Sequence, residues 1–175
     1  MNRKKIKLLV DSLLAQDNLR SIPVDINKIA RLANANVEIT ALKDGLSGFA
    51  YQKNGTRFIG VSVDEGQERQ RFTLAHELGH IFLHKNDALR YDNGLMMFRN
   101  LHSSDGTDIK EIEANRFAAE LLMPEEELRQ DIAELPSIDF MSDSTLTQRY
   151  VKKLAEKYQV SPKAMSVRIT TLYFS

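Results

Sequence analysis

The chain has 175 residues, 24 basic against 24 acidic side chains, a formal net charge of zero, 42% hydrophobic residues and no cysteine. That size and composition suit one globular domain, 1–175, with a real core, and the charge balance argues against bulk attraction to nucleic acid or anionic lipid. The absence of cysteine excludes disulfides, thiolate metal sites and cysteine nucleophiles, so any metal must be held by N and O ligands.

Met1 to Asp17 starts basic and turns apolar in the manner of a signal peptide, but Asp11 interrupts the apolar stretch and no small-residue cleavage pattern follows. The segment predicts an amphipathic helix. No apolar run approaches bilayer length, so no membrane association and a cytoplasmic location are expected. Pro23 and Asp25 open a second short helix, Ile26 to Ala33, and Val37 to Leu42 alternates like a strand. Ser47 to Gln52 and Arg57 to Val63 flank Asn54-Gly55, a type I′ turn signal, which predicts an antiparallel hairpin. An edge strand of such a hairpin can hold a substrate backbone by strand addition, although plain structural sheet is an equal expectation.

Arg69 to Leu83 reads as a buried helix interrupted by a narrow polar stripe. At 100° per residue, His80 falls about 40° from His76, Thr73 about 60°, His84 about 80° and Glu77 about 100°. An ordinary solvated stripe is filled with Lys, Arg and Glu; this one holds three histidines, a threonine and a glutamate. His76, Glu77 and His80 spell HExxH, in which two imidazoles on one helical face can grip a zinc ion and the glutamate can act as general base. Gly79 inside the motif costs helix propensity and predicts another backbone, a second helix, crossing close by.

Catalytic zinc takes three protein ligands, so a further His, Glu or Asp is needed. Asn86 to Thr107 has no sustained period and reads as a long connection containing His102, which could approach the metal or polarise a substrate carbonyl but for which an exposed position with no role is the better expectation. Lys110 to Met123 predicts a helix ended by Pro124. With Glu111 at 0°, Asn115 falls at about 40°, Ala118 at about 340° and Leu122 at about 20°, which sets Glu111 on the inward face. Glu113, at about 200°, joins Arg116 and Glu120 in an expected surface stripe. Glu111 is therefore the favoured third ligand and Glu113 the alternative, while an ion pair with Arg69 or Arg71 is the plainer explanation of Glu111. Asn115 is placed to hydrogen-bond a ligand histidine and fix its tautomer. Manganese would accept the same ligands as zinc.

Glu125 to Leu135 predicts a short acidic helix and Ser137 to Asp143 a linker. Leu146 to Tyr158 and Pro162 to Leu172 have helix-turn-helix spacing, with Lys163 and Arg168 on the second helix. A DNA-binding regulator using this pair, with a structural or sensory metal site, is the rival reading. The pair lacks a glycine at its turn, its second helix is largely apolar and the chain has no basic excess, so it reads better as core cover or a partner-docking surface within 143–175. A metal protein that no longer cuts is a third reading, against which the intact Glu77 stands.

RQRFTLAHELGHIFLH (Arg69 to His84) followed by EIEANRFAAELLMP (Glu111 to Pro124) resembles the ImmA/IrrE family of metallo-endopeptidases, and the likeness extends to SGFAYQKNGTRFIGVSV (Ser47 to Val63) and IPVDINKIA (Ile22 to Ala30). The resemblance implies a zinc-dependent, intracellular bacterial peptidase that cleaves a helix-turn-helix repressor and so derepresses mobile-element or stress genes. Carried over residue by residue, it makes His76, His80 and Glu111 the metal ligands and Glu77 the catalytic acid/base. Some members carry added domains; the 51 residues after Pro124 leave little room for a large one here. The expected fold is α+β and zincin-like, with a small antiparallel sheet beside the HExxH helix and the remaining helices packed around them.

Overall fold

The structure is a computed structural model that describes residues 2–16, 19–42, 45–84, 109–136 and 145–173. The expected connection Asn86 to Thr107, with His102, and the expected linker Ser137 to Asp143 lie outside the described residues. The described elements are α1 (Arg3–Leu14), α2 (Ile26–Leu32), β1 (Ala35–Thr40), β2 (Gly48–Lys53), β3 (Thr56–Ser62), α3 (Gln67–Leu83), α4 (Ile109–Leu122), α5 (Glu125–Ala133), α6 (Thr145–Tyr158) and α7 (Pro162–Tyr173).

Asn2 caps α1 by accepting the Lys4 N–H, and Ile6, Val10, Leu13 and Leu14 form its buried stripe. Asp25 caps α2 by accepting from the Asn27 and Lys28 N–H groups. β2 and β3 pair antiparallel about Asn54 and Gly55, whose φ values of 51° and 82° are those a type I′ turn requires. β1 pairs with β3 in parallel, in the order β1-β3-β2, so the sheet is mixed and not wholly antiparallel. The reason lies in where the chain goes after β1: it reverses, passes over one strand position to the far edge as β2, and the tight hairpin returns β3 into the gap. β3 is the strand with a continuous buried run, Ile59 to Ser62, and the centre is where such a run is best covered.

One sheet face presents Gly48, Ala50, Ile59 and Val61, all buried, and α3 packs against β2 and β3. α3 in turn crosses α4 most closely at Gly79, where a Cβ would lie 3.0 Å from Ala114 Cα and 3.1 Å from its carbonyl oxygen. A side chain there would push the helices apart by a few tenths of an ångström, so the glycine permits the close crossing that the sequence led us to expect. Phe82 stacks on Phe117 beside the crossing, with ring centroids 5.7 Å apart.

α4 is enclosed on more sides than its sequence suggested. Glu113 and Glu120 are only 6% and 4% exposed, so the expected surface stripe does not form; of its three members Arg116 alone is exposed. Glu120 lies inside because α7 delivers a partner: Arg168 Nη2 donates to Glu120 Oε2 at 2.6 Å and its Nε donates to the Met123 carbonyl at 3.0 Å. Glu120 Oε1 also accepts the Glu125 N–H at 3.2 Å, which ties the end of α4 to the start of α5. Removing one member of a buried pair strands a charge. Arg168→Ala should therefore lose about 3–5 kcal/mol of stability in urea denaturation, whereas Arg116→Ala should change it by about 0.5 kcal/mol or less.

Among the described residues, no helix is long and apolar enough to cross a membrane.

Candidate metal centre

His76 and His80 face the same side of α3 one turn apart, and α4 brings Glu111 across from them. The His76 and His80 Nε2 atoms are 3.1 Å apart; Glu111 Oε2 is 3.2 Å from the first and Glu111 Oε1 3.1 Å from the second. Among the described residues this is the one group of three that could hold a metal ion. A tetrahedral ion with bonds of about 2.0–2.1 Å sets its ligand atoms about 3.3 Å apart. The observed spacing comes within a few tenths of an ångström of that value, so the donor set fits a small divalent cation. Neither arginine considered as Glu111's partner plays that part: Arg71 donates to the Val24 carbonyl and Arg69 lies 4.0 Å from Glu65.

The electrostatics separate the two carboxylates of the site. Hydrogen bonds from His76 and then His80 pull the Glu111 carboxyl down to about 2, so it is an anion poised between two rings. Burial pushes Glu77 the other way, up to about 7, despite the opposing pull of both histidines. His76 is itself shifted upward: burial lowers it, but the hydrogen bond to Glu111 and the charges of Glu77 and Glu111 outweigh that. Two acids with environments that drive them apart is the pattern expected of a ligand and an acid/base.

His76 Nδ1 lies 3.0 Å from Asn115 Oδ1. A carbonyl oxygen can only accept, so Nδ1 carries a proton, and Nε2, which donates to Glu111 here, is the nitrogen that would lose its proton to bind a cation. Asn115 is exposed at the rim of the site, and its amide reaches the ring from there. Asn115→Ala should weaken metal binding about 10- to 100-fold without unfolding the chain, as read by competition with a chromogenic chelator.

Glu77 is 3% exposed, and its Oε2 has no hydrogen-bond partner among the described residues. Glu113 stands apart from the three-residue cluster: its Oε2 is 3.8 Å from His84 Nε2, which also lies 3.4 Å from the Lys110 carbonyl. His84 thus turns toward α4 and pairs with the residue considered as the alternative ligand.

Sequence reasoning missed Gly48. A Cβ there would collide with Thr73 Cγ2 and lie 3.0 Å from the Gly60 carbonyl and 3.8 Å from Glu77 Oε1, so its bare backbone lets β2 start hard against the motif helix. A glycine opening a strand is the signal that pointed to such an approach. Arg168, considered as a DNA contact, is buried and committed to Glu120 and Met123, while Lys163 is exposed. Gln159, with φ of 53°, makes the turn between α6 and α7 in place of a glycine.

A histidine-bearing helix crossed by a carboxylate-bearing one, beside a small mixed sheet, defines a zincin-like α+β fold. The family model described as the IrrE N-terminal-like domain, Peptidase M78, matches residues 32–170, and the chain belongs to that family. It is 34% identical over 98 residues to "Uncharacterized immunity region protein 2" of Bacillus phage phi105, a match covering 56% of this chain and 58% of the phage protein. Its fold is similar to that of a Mycobacterium tuberculosis transcriptional regulator, with a TM-score of 0.59 and 15% identity over 92% of this chain and 45% of the other. The chain thus matches only about half the length of each of these relatives.

Proposed function

We propose that this chain acts as a zinc-dependent endopeptidase, a single metallopeptidase domain over 1–175, that cuts a helix-turn-helix repressor in the cytoplasm and so releases mobile-element or stress genes. The observation that carries this reading is the convergence of His76, His80 and Glu111 on one point, with the buried Glu77 carboxylate beside them. Membership of a peptidase family supports the reaction class, and the phage immunity-region relative supports a repressor as substrate.

His76, His80 and Glu111 would hold the ion. When bound, it supplies a Lewis acid for the scissile carbonyl and lowers the pKa of a water molecule. Glu77 does the proton work: it takes a proton from the attacking water and passes it to the departing amine. Burial, partly offset by His76 and His80, sets Glu77 at about 7, where it can both accept and return a proton at neutral pH. Asn115 holds the His76 ring in the ligating tautomer. The backbone of β2, brought close by Gly48, is the edge along which an extended substrate could add.

Co-expression with the helix-turn-helix protein of the same immunity region, followed by mass spectrometry, should yield two fragments of that protein. Intact repressor with metal-loaded wild-type protein would contradict the assigned substrate. Salt-dependent binding of operator DNA by the chain alone would instead support the regulator reading.

A further inference from the structure

α4 and α7 each leave one stripe facing a groove of about 800 Å³. On α4 the stripe is Ile112, Arg116 and Ala119, continued by the buried Met123 just past the helix end; on α7 it is Ala164, Val167 and Thr171, on the side away from the buried Met165, Ile169 and Leu172. Phe72 from α3 and Ile6 from α1 complete an apolar floor. The α4 stripe runs about 16 Å, three turns of helix. Two helical ridges with a trough between them form the shape that accepts a third helix by its apolar face. Val167, 59% exposed at the lip, is an apolar side chain such a helix would cover.

The rim is one-sided in a chain whose overall charge is zero. Arg3, Arg116 and Lys163 line it together with Arg69, which lies 4.0 Å from Glu65, against Glu68, while Glu120 is neutralised by Arg168. Arg116 and Lys163 are exposed and have no carboxylate partner among the described residues. An apolar stripe with acidic flanks complements this surface, and nucleic acid would have no use for the floor. Asn115 also lines the groove, so its wall reaches the residue that holds His76.

We infer that this groove docks an acidic amphipathic helix, about three turns long, that belongs to the protein substrate and lies outside the segment to be cut. The inference rests on the peptidase reading above. A protease that grips a folded helix away from the scissile bond gains selectivity from the docking site and not from the catalytic cleft.

The test uses the full-length Glu77→Gln protein and a fluorescein-labelled 18-residue designed helix with leucines on one stripe and glutamates on both flanks, together with a twin carrying lysine for every glutamate. Anisotropy should show the acidic peptide binding at least tenfold more tightly than its twin. Arg116→Glu with Lys163→Glu, both exposed and remote from the core, should remove at least tenfold of that affinity with unchanged circular dichroism, and Val167→Asp should do the same. Equal binding of the twins, no binding, or indifference to the charge reversal would overturn the inference. So would self-association that the same reversal abolishes, which would assign the groove to a second copy.

To assign the source, the acidic helix is joined to a quenched fluorogenic segment taken from the mapped cleavage site. Wild-type protein should cut the fusion with KM at least tenfold below that of the segment alone and with kcat unchanged, a gain the reversal erases. A helix that binds without lowering KM belongs to some other partner and overturns the substrate assignment. Binding with no cleavage of any segment would contradict the peptidase reading itself, whereas cleavage without helix binding contradicts the docking alone.

Discussion

Glu77→Gln should purify with the metal content of the wild type and lose about 10²–10⁴-fold of its peptide hydrolysis. The substitution keeps the shape of a side chain that is almost fully buried, so the helix and the two histidines beside it stay in place. What disappears is the ability to accept and return a proton. The wild-type carboxyl is poised for that exchange because burial raises it to about 7 while His76 and His80 pull it back. Its Oε2 has no hydrogen-bond partner among the described residues, a costly arrangement for a merely structural acid. Metal analysis and a fragment assay on the same preparation check the prediction; full turnover by the variant would remove Glu77 from its role.

Glu111→Ala should lose more than about 100-fold in zinc affinity, beyond the range typical of residues that only orient a ligand, while Glu113→Ala should change it less than about tenfold. Glu111 is the carboxylate within 3.2 Å of both imidazoles, and without it two ring nitrogens 3.1 Å apart face each other without their nearest counter-charge. Glu113 faces His84 at 3.8 Å, so its loss disturbs the far side of the helix crossing and leaves the cluster intact. Competition titrations on the two variants separate the outcomes, and the reverse order would exchange the assignments of the two glutamates.

Much of this architecture could be read from local pattern. Asn54-Gly55 announced its turn because two adjacent residues at positive φ leave few chemical choices. Gly79 announced a crossing helix because a propensity loss inside a buried helix needs a compensating approach, and Ala114 supplies it. The spacing of Glu111 and Asn115, four residues apart, set both on one side of α4, where Glu111 meets the His76 and His80 imidazoles and Asn115 meets His76. The failures came from long-range partners. Helical periodicity set Glu113 and Glu120 opposite Glu111 but could not say that both are buried, because the partner of Glu120, Arg168, lies 48 positions further along and Glu113 meets His84 from the end of another helix. The parallel pairing of β1 was hidden for a similar reason: alternation marks a strand, while its neighbours are chosen by the path between strands. Arg168 itself, an arginine on the second helix of a helix-turn-helix-like pair, invites a nucleic-acid reading until Glu120 is seen beside it.

In the proposed site two imidazoles from α3 and one carboxylate from α4 share a single divalent ion. X-ray absorption at the zinc edge on the zinc-loaded protein reads that donor set. One equivalent of zinc with two imidazole nitrogens and light oxygen donors at about 2.0–2.1 Å, with the carboxylate contribution absent in Glu111→Ala, is the expected result. A spectrum unchanged in Glu111→Ala, or a purified wild-type protein that binds less than about a tenth of an equivalent at micromolar zinc, would contradict it.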